Sequence, residues 1–304
     1  GISVLLSTYN GEKYLNQQLD SLLSQTYKNF EIIARDDGSQ DKTLEILHSY
    51  NITIIDSKKN LGAKGSFGAL LEYAAQNTES EYFMFCDQDD VWESDKIEKT
   101  LAKMHEIEIS CHEMPILVHT DLNVVDENLK VLDNSMWNYE HINPKLNTLN
   151  RLLIQNTITG CTVMINKKLA QISLQIPDEA VMHDWWIGLV ASKFGKIDFI
   201  DEPTIQYRQH GGNSIGAKGI LKKGFSIFLN RSLYIKHLYI NIKQAKVFLN
   251  IYRNRLDNVT IEMLENFISI ENKSFWQKRK ILLKHKLLKQ GLIRNIGLLA
   301  KISI

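Results

Sequence analysis

Short apolar runs alternate with amphipathic stretches over the first hundred residues. Each run is typical of a buried strand and stops at polar turn residues. The runs lie at residues 2–6, 30–34, 52–55 and 82–85. Between them apolar residues recur at helical spacing, as at Leu15, Leu19 and Leu22. Strands that alternate with helices predict a parallel sheet covered on both faces.

The candidate chemistry gathers where these strands end. Thr8 follows the first strand, Asp36 and Asp37 follow the second, and Asp87 and Asp89 follow the fourth. Ligands of open parallel sheets bind at the carboxyl ends of the strands. The pattern therefore predicts one site built from all three turns, and this prediction does not depend on any single motif.

The turn 87–90 (DQDD) carries three carboxylates within four residues. These charges repel one another unless a cation lies among them, and Mg²⁺ and Mn²⁺ prefer such oxygen donors and often bridge to phosphates. A solvated acidic turn is the plain alternative. A phosphatase-type nucleophile is another, although that motif is expected on the first strand. The apolar strand before the turn favours a metal–phosphate site.

The turn 36–39 (DDGS) fits two roles that can coexist. Ser39 suits the N-cap of the next helix, and a neighbouring carboxylate can accept from a base N–H or a ribose hydroxyl. The first turn, 7–11 (STYNG), lacks the G-x-G-x-x-G fingerprint, and no G-x-x-x-x-G-K-[ST] segment occurs in the chain. Dinucleotide-cofactor and P-loop classes are therefore disfavoured.

Two later segments combine ionisable and aromatic residues. In 183–186 (HDWW), Asp184 either caps a helix or takes a proton from an attacking hydroxyl in a pocket where sugars stack on aromatic rings. In 207–210 (YRQH), His210 is a candidate metal ligand and Arg208 a candidate phosphate contact. Between residues 100 and 200 the strand pattern is looser, with a helix expected to start near Asp184.

Charge is distributed unevenly although the whole chain carries only +1. Residues 1–216 contain 18 Lys/Arg and 31 Asp/Glu, whereas residues 217–304 contain 18 Lys/Arg and four Asp/Glu. This split predicts an acidic body and a basic arm that meets an anionic surface. The three scattered cysteines favour a reducing compartment, and no apolar run approaches a membrane span. We therefore expect a cytoplasmic protein without a signal peptide.

From about Leu221 the chain has a helical pattern in which apolar and basic residues mix. One interpretation is a helical subdomain that packs on the catalytic body or forms a homodimer. The other is an amphipathic arm on the inner face of the cell membrane. No RNA- or DNA-binding module accompanies the basic residues, so nucleic acid is not an expected partner.

Six motifs, taken in order over residues 2–215, resemble family 2 glycosyltransferases of the GT-A fold. The DQDDVW, HDWW and YRQH forms are most similar to bacterial rhamnosyltransferases that build cell-surface polysaccharides. The motifs are STYNG (7–11), DDGS (36–39), DQDDVW (87–92), TGCT (159–162), HDWW (183–186) and YRQH (207–210).

The resemblance implies a fold, domains and roles. The fold would be an α/β, Rossmann-like, mostly parallel sheet flanked by helices. A catalytic domain over 1–216 would hold the donor half (about 1–100) and the acceptor half (about 101–216), followed by a basic helical region over 217–304. Asp184 would be the catalytic base, and Asp89, with Asp87 and His210, would hold Mg²⁺ or Mn²⁺. The nucleotide contacts would be Thr8, Tyr9, Asp36, Asp37 and Asp87, and the sugar pocket would include Gly160, His183, Trp185, Trp186 and Arg208.

The implied reaction is a single displacement with inversion at the anomeric carbon. The expected donor is dTDP-L-rhamnose, and the expected acceptor is a hydroxyl of a growing, lipid-linked cell-surface polysaccharide. Another donor such as a UDP-hexose is the nearest alternative. A sugar nucleotidyltransferase would want a Gly-rich basic loop after the first strand, which 7–11 does not offer, and a non-catalytic glycan-assembly module would not need Asp184.

Overall fold

The computed structural model describes residues 1–55, 57, 59–211 and 231–302. Two compact units make up these residues. The first contains residues 1–139, 158–176 and 182–211, and the second contains 140–157, 177–181 and 231–302. Two stretches expected within the catalytic domain, 140–157 and 177–181, thus group with the C-terminal helices. Residues 217–230 and 303–304 of the expected helical region lie outside the described residues.

The first unit begins with the predicted alternation of strands and helices. Its first four strands run parallel in the order β3-β2-β1-β4. The elements are β1 Ile2–Thr8, α1 Leu15–Leu23, β2 Phe30–Asp36, α2 Thr43–His48, β3 Thr53–Ile55, α3 Gly62–Asn77 and β4 Tyr82–Cys86. Val4, Leu5 and Leu6 are fully buried because helices cover both faces of the sheet.

The rest of the sheet is mixed. Beyond β4 the order continues β8-β6-β9-β5, with β8 antiparallel to both of its neighbours, β6 parallel to β9, and β7 paired with β6. The elements are β5 Val91–Trp92, α4 Lys96–Ser110, β6 Ile116–Val125, β7 Val131–Asp133, α5 Met136–Tyr139, α6 Leu149–Leu152, β8 Met164–Asn166, α7 Lys167–Ser173, α8 His183–Phe194 and β9 Lys196–Arg208. The predicted α/β class, a mostly parallel sheet flanked by helices, is confirmed.

The second unit is helical. Its C-terminal helices are α9 Arg231–Tyr252, α10 Asn258–Ile268, α11 Phe275–Lys284 and α12 Leu292–Lys301. Phe248, Leu264 and Phe267 form part of its core with no exposed surface, and Asn241 Nδ2 donates to the Ile154 carbonyl at 3.1 Å. No helix in the described parts of the chain has the length and hydropathy needed to cross a bilayer.

Two glycines of the first unit should respond oppositely to alanine. A Cβ at Gly195, where α8 passes into β9, would lie 1.9 Å from the Pro115 carbonyl oxygen, so Gly195→Ala should destabilise the fold by about 1–3 kcal/mol. A Cβ at Gly68, inside α3, would meet Ile176 at 3.8 Å, an ordinary contact, and Gly68→Ala should add up to about 1 kcal/mol through helix propensity. Urea denaturation of both variants checks the pair, and equal shifts would contradict it.

Candidate active site

Three turns meet at one edge of the sheet. Thr8 and Asp36, the last residues of β1 and β2, are register partners, and β4 pairs with β1 up to Cys86, just before Asp87. Because these strands are parallel, their carboxyl ends coincide. The juxtaposition expected from the strand ends is therefore present in the structure.

Asp36 ties the first two turns together. Its carboxylate accepts from the Thr8 hydroxyl at 2.9 Å, from the Ser39 backbone N–H at 2.8 Å and from the Gly38 N–H at 3.1 Å. The Ser39 hydroxyl also donates to it, at 2.5 Å. The side chain is buried, so its hydrogen bonds fix the turn 36–39 against β1.

Asp37 has a different set of partners. Its carboxylate accepts from the backbone N–H groups of Leu61 and Gly62 at 2.7 Å each, and it forms a buried ion pair with Arg35. Gly62 begins α3, and a carboxylate at a helix N-terminus is favoured by the helix dipole. Asp37 thus joins β2 to α3, and both aspartates are held by protein groups.

Tyr9 joins the first turn to the acidic turn through its backbone. The Tyr9 N–H donates to Gln88 Oε1 at 2.7 Å, and Gln88 Nε2 donates to the Tyr9 carbonyl at 2.9 Å. The Tyr9 side chain is 48% exposed. A Cβ at Gly11 would lie 2.3 Å from Gln88 Oε1, so this paired amide needs the glycine. The sequence analysis did not identify Gln88 as a site residue. The one sequence feature that pointed to its close contact with the first turn was Gly11.

The acidic turn meets the end of β9 through Asp89. Asp89 Oδ2 lies 2.7 Å from His210 Nε2, and the two side chains are only 13% and 16% exposed. Folding therefore brings together two side chains that the sequence analysis proposed as metal ligands although they lie far apart in the chain.

Asp87 and Asp90 lie among other carboxylates. Asp90 is fully buried; its Oδ1 accepts from the Arg208 N–H at 3.1 Å, and its Oδ2 has no hydrogen-bond partner in the described residues. Burial, then the charges of Asp89 and Asp87, raises the pKa of Asp90 well above its usual value. Burial, then Asp89 and Asp184, raises the pKa of Asp87 to about 7. An added cation would relieve this repulsion.

Cys161 also faces these acids. One ligand atom each of Asp87, Asp90 and Cys161 lies within 4.8 Å of the others. The cysteine belongs to the short 3-10 turn Gly160–Thr162, and burial followed by the two carboxylate charges raises the pKa of its thiol. The scattered spacing of the cysteines contained no signal for this placement.

Arg208 forms hydrogen bonds to the acidic turn and to neighbouring groups. Its guanidinium donates to the carbonyls of Asp89 at 2.8 Å and Glu127 at 2.6 Å, and to Gln17 Oε1 at 2.6 Å. It also stacks over the Tyr14 ring, 4.3 Å from the centroid. With 2% exposure, the side chain faces protein groups, whereas the sequence analysis expected it to face phosphate or sugar.

Asp184 approaches the acidic turn from the start of α8. Its Oδ2 accepts from the Gly160 N–H at 3.0 Å and its Oδ1 from the Trp185 N–H at 2.6 Å. Its negative charge contributes to the raised pKa of Asp87. A Cβ at Gly160 would lie 2.9 Å from His183 Nε2, so the turn needs glycine to reach Asp184.

The aromatic residues around Asp184 are mostly interior. The His183 ring lies between Phe67 and Phe85, at centroid distances of 4.2 and 5.0 Å, and burial lowers its pKa to about 3, so the ring is neutral. Trp186 is 1% exposed and packs in the core. Trp185 is partly exposed and is the one aromatic side chain of HDWW with an open face.

Lys96 is a further buried charge that the sequence analysis missed. Its ammonium lies 3.3 Å from Thr204 Oγ1 and 3.4 Å from the Thr162 carbonyl, and 4.8 Å from the centroid of the Trp92 ring. Burial lowers its pKa to about 8. Its segment resembles an ordinary solvated helix start, so nothing in the sequence marked it.

Comparisons with known proteins agree on the family. An uncharacterised glycosyltransferase of Rickettsia typhi is 29% identical over 69% of this chain, which spans 64% of that relative's length. The dTDP-rhamnosyl transferase RfbG of Shigella flexneri is 25% identical over 90% of this chain and 94% of its own. Staphylococcus aureus TarS 1–349, crystallised with UDP, aligns with a TM-score of 0.57 and 18% identity over 88% of this chain and 69% of its own.

The sequence profile described as "Glycosyl transferase family 2" matches residues 3–172, which include the three turns at the sheet edge and the Gly160–Thr162 turn. The match covers more than half of the chain, and the arrangement of strands agrees with it. The chain belongs to glycosyl transferase family 2, and the predicted family is confirmed.

Proposed function

We propose that this enzyme moves L-rhamnose from dTDP-L-rhamnose onto a hydroxyl of a growing, lipid-linked cell-surface polysaccharide, with inversion at the anomeric carbon. One observation carries the proposal. At the edge where the parallel strands end, Asp89 contacts His210, and the charges of both Asp89 and Asp184 raise the pKa of Asp87. Such an edge can hold a nucleotide diphosphate on one side and a base on the other.

The nucleotide would lie over the first two turns. Tyr9 offers an exposed ring beside the tightly held turn 36–39, and Thr8, Asp36 and Asp37 shape the floor beneath it. Aromatic stacking and fixed polar groups are the ordinary means of holding a nucleobase. TarS has been crystallised with UDP and with UDP-GlcNAc, which supports a nucleotide-sugar donor for a chain of this fold.

The acidic turn fits a divalent cation. Asp89 and His210 offer a carboxylate oxygen and an imidazole nitrogen, and the fully buried Asp90 Oδ2 lacks a hydrogen-bond partner in the described residues. Carboxylate-rich sets of this kind suit Mg²⁺ or Mn²⁺. When bound, the ion would offset the negative charge of the departing diphosphate. Asp87, the first carboxylate of the turn, would complete the donor set.

Asp184 would accept the proton of the acceptor hydroxyl. The Gly160 and Trp185 N–H groups hold one carboxylate oxygen each and orient the side chain. The acceptor oxygen would attack the anomeric carbon while the bond from that carbon to the diphosphate oxygen breaks. The proton would pass to Asp184, so no covalent glycosyl-enzyme is required. The open face of Trp185 offers a surface for the acceptor sugar, whereas His183 and Trp186 would support that surface from the interior.

The rhamnose donor is supported by the Shigella relative, whose name states dTDP-rhamnosyl transfer and which aligns over nearly its whole length. A UDP-hexose is the alternative donor, and the TarS complexes with UDP and UDP-GlcNAc support it. Purified protein incubated with dTDP-L-rhamnose, UDP-hexoses and GDP-sugars decides between them by the nucleoside diphosphate released. Release from a UDP-hexose alone would replace the rhamnose assignment.

The second unit suits a membrane surface. Residues 231–302 contain 15 Lys/Arg and four Asp/Glu. On α11, Phe275, Trp276 and Leu283 lie exposed on the same face as Arg279 and Lys280. An apolar face with basic neighbours is typical of helices that lie in the interface of anionic bilayers. Peripheral binding at the inner face of the cell membrane would bring the enzyme to a lipid-linked acceptor.

Asp184→Asn should lower transfer by about 10²–10⁴-fold, because the amide cannot take the acceptor proton. Nucleotide affinity should stay close to wild type, since Asp184, which accepts from the Gly160 and Trp185 N–H groups, is not among the proposed nucleotide contacts. Initial rates and calorimetric titration with dTDP measure both quantities. Asp201→Asn, an exposed carboxylate on β9, is the matched control. Near wild-type transfer by Asp184→Asn would remove it as the base.

Asp89→Ala should abolish the gain in dTDP affinity that Mn²⁺ or Mg²⁺ brings, leaving the affinity measured in EDTA. His210→Ala should act in the same direction because its ring contacts the same carboxylate. Isothermal titration with and without metal tests both variants. Unchanged metal-dependent affinity in Asp89→Ala would refute its role as a ligand.

Trp276→Ala should weaken binding to vesicles that contain anionic lipid by about tenfold, or ~1.4 kcal/mol, because it removes an exposed ring from the basic face of α11. Val259→Ala is the matched control, since Val259 is equally exposed (75% against 76%) but shares α10 with the exposed Glu262 and Glu265. Co-flotation with neutral and anionic vesicles gives the measurement. Equal losses in both variants would contradict the proposed face, and a concentration-dependent dimer broken by Trp276→Ala would assign it to a second copy.

A further inference from the structure

The backbone of the first turn is held by side chains that come from other segments of the chain. The Asn10 N–H donates to the Ser39 hydroxyl and the Gly11 N–H donates to the Thr43 hydroxyl, each at 2.8 Å. Asn10 has a φ of 48°, a left-handed conformation that asparagine tolerates better than most residues. These contacts fix the part of the turn that follows Tyr9.

Gln88 holds Tyr9 itself. Its side-chain amide accepts from the Tyr9 N–H at 2.7 Å and donates to the Tyr9 carbonyl at 2.9 Å. The two hydrogen bonds run in opposite directions, so the contact needs both a donor and an acceptor on one side chain of this length. The Tyr9 side chain is nevertheless 48% exposed. The backbone of Tyr9 is therefore fixed while its ring stays open to a ligand.

Gln88 also belongs to the acidic turn, where it lies between Asp87 and Asp89. Both neighbours are carboxylates of the proposed cation site. The amide contact therefore connects this turn directly to the residue with the open ring, in addition to the pairing of β1 with β4. The nucleobase and the diphosphate of one donor are covalently joined, so the surfaces that bind them must keep a fixed spacing.

We propose that Gln88 is a positioning residue for the donor: its amide fixes Tyr9 relative to the acidic turn and so sets the spacing between the nucleobase surface and the diphosphate site. This inference rests on the proposed function, which assigns the nucleobase to Tyr9 and the cation to the acidic turn. A ring whose backbone is already fixed loses less conformational freedom when a base binds, so the amide raises the affinity for the nucleotide through Tyr9.

A double-mutant cycle on dTDP affinity tests this role. With Mn²⁺ present, Gln88→Ala should raise the Kd for dTDP about three- to tenfold, because the Tyr9 ring is no longer held in place. Tyr9→Ala removes the ring and should raise the Kd at least as much. In the Tyr9→Ala background Gln88→Ala should have little further effect, since it acts through that ring. Calorimetric titration gives all four constants.

Gln76→Ala is the matched control for this cycle, since Gln76 is an exposed glutamine on α3 whose amide contacts Glu72 of the same helix at 3.5 Å. An unchanged Kd in Gln88→Ala would overturn the proposal. Additive losses in the cycle would also overturn it, because Gln88 would then act by a route other than Tyr9. Both of these outcomes leave the donor site intact, whereas wild type that binds no dTDP would refute the proposed donor site and this role together.

The same contact can be broken from its other side at Gly11. A Cβ there would lie 2.6 Å from Gln88 Cδ and 3.2 Å from Gln88 Nε2, and nearer still to Oε1. Gly11→Ala should therefore push the amide away from Tyr9 and raise the Kd for dTDP by a factor similar to that of Gln88→Ala. The double variant Gly11→Ala/Gln88→Ala should be no weaker than Gln88→Ala alone. Wild-type affinity in Gly11→Ala would contradict the proposed role of the amide.

Discussion

The central constraint in this protein is the repulsion among three carboxylates placed at the end of a buried strand. β4 delivers Asp87, Asp89 and Asp90 to a turn that is largely shielded from water, so their charges are poorly screened. Arg208 from β9 relieves part of this repulsion, because its backbone N–H donates to Asp90 Oδ1 and its guanidinium donates to the Asp89 carbonyl.

The mixed half of the sheet brings further groups to the acidic turn. β5 continues the acidic turn and pairs antiparallel with β9, and this pairing sets Arg208 under the turn and His210 beside Asp89. The Gly160–Thr162 turn, just before β8, contributes the N–H that orients Asp184. Because β8 is antiparallel to β4, the residues before β8 lie at the same edge as the residues after β4, and β9, which is parallel to β6 and hence to β4, ends at that edge.

The two units divide the work of the chain by charge. The first concentrates acidic groups where a cationic ligand would be held, and the second is strongly basic over residues 231–302. This separation agrees with the proposed function, in which the acidic unit binds the donor and the basic unit meets an anionic bilayer. The exposed aromatic and basic residues of α11 give the second role a specific location.

The sequence by itself determined the strand–helix alternation, the family and the edge of the sheet at which the site forms. Apolar runs that end in polar turns report local structure, and parallel strands place Thr8, Asp36 and Asp87 together without further information. Tertiary structure decided which polar side chains form their hydrogen bonds and ion pairs within the protein. Arg208 and Asp37 look like ligand contacts in the sequence but satisfy buried protein groups, and Lys96 looks solvated but is buried. Burial and partner choice depend on contacts between distant segments, which no local pattern encodes.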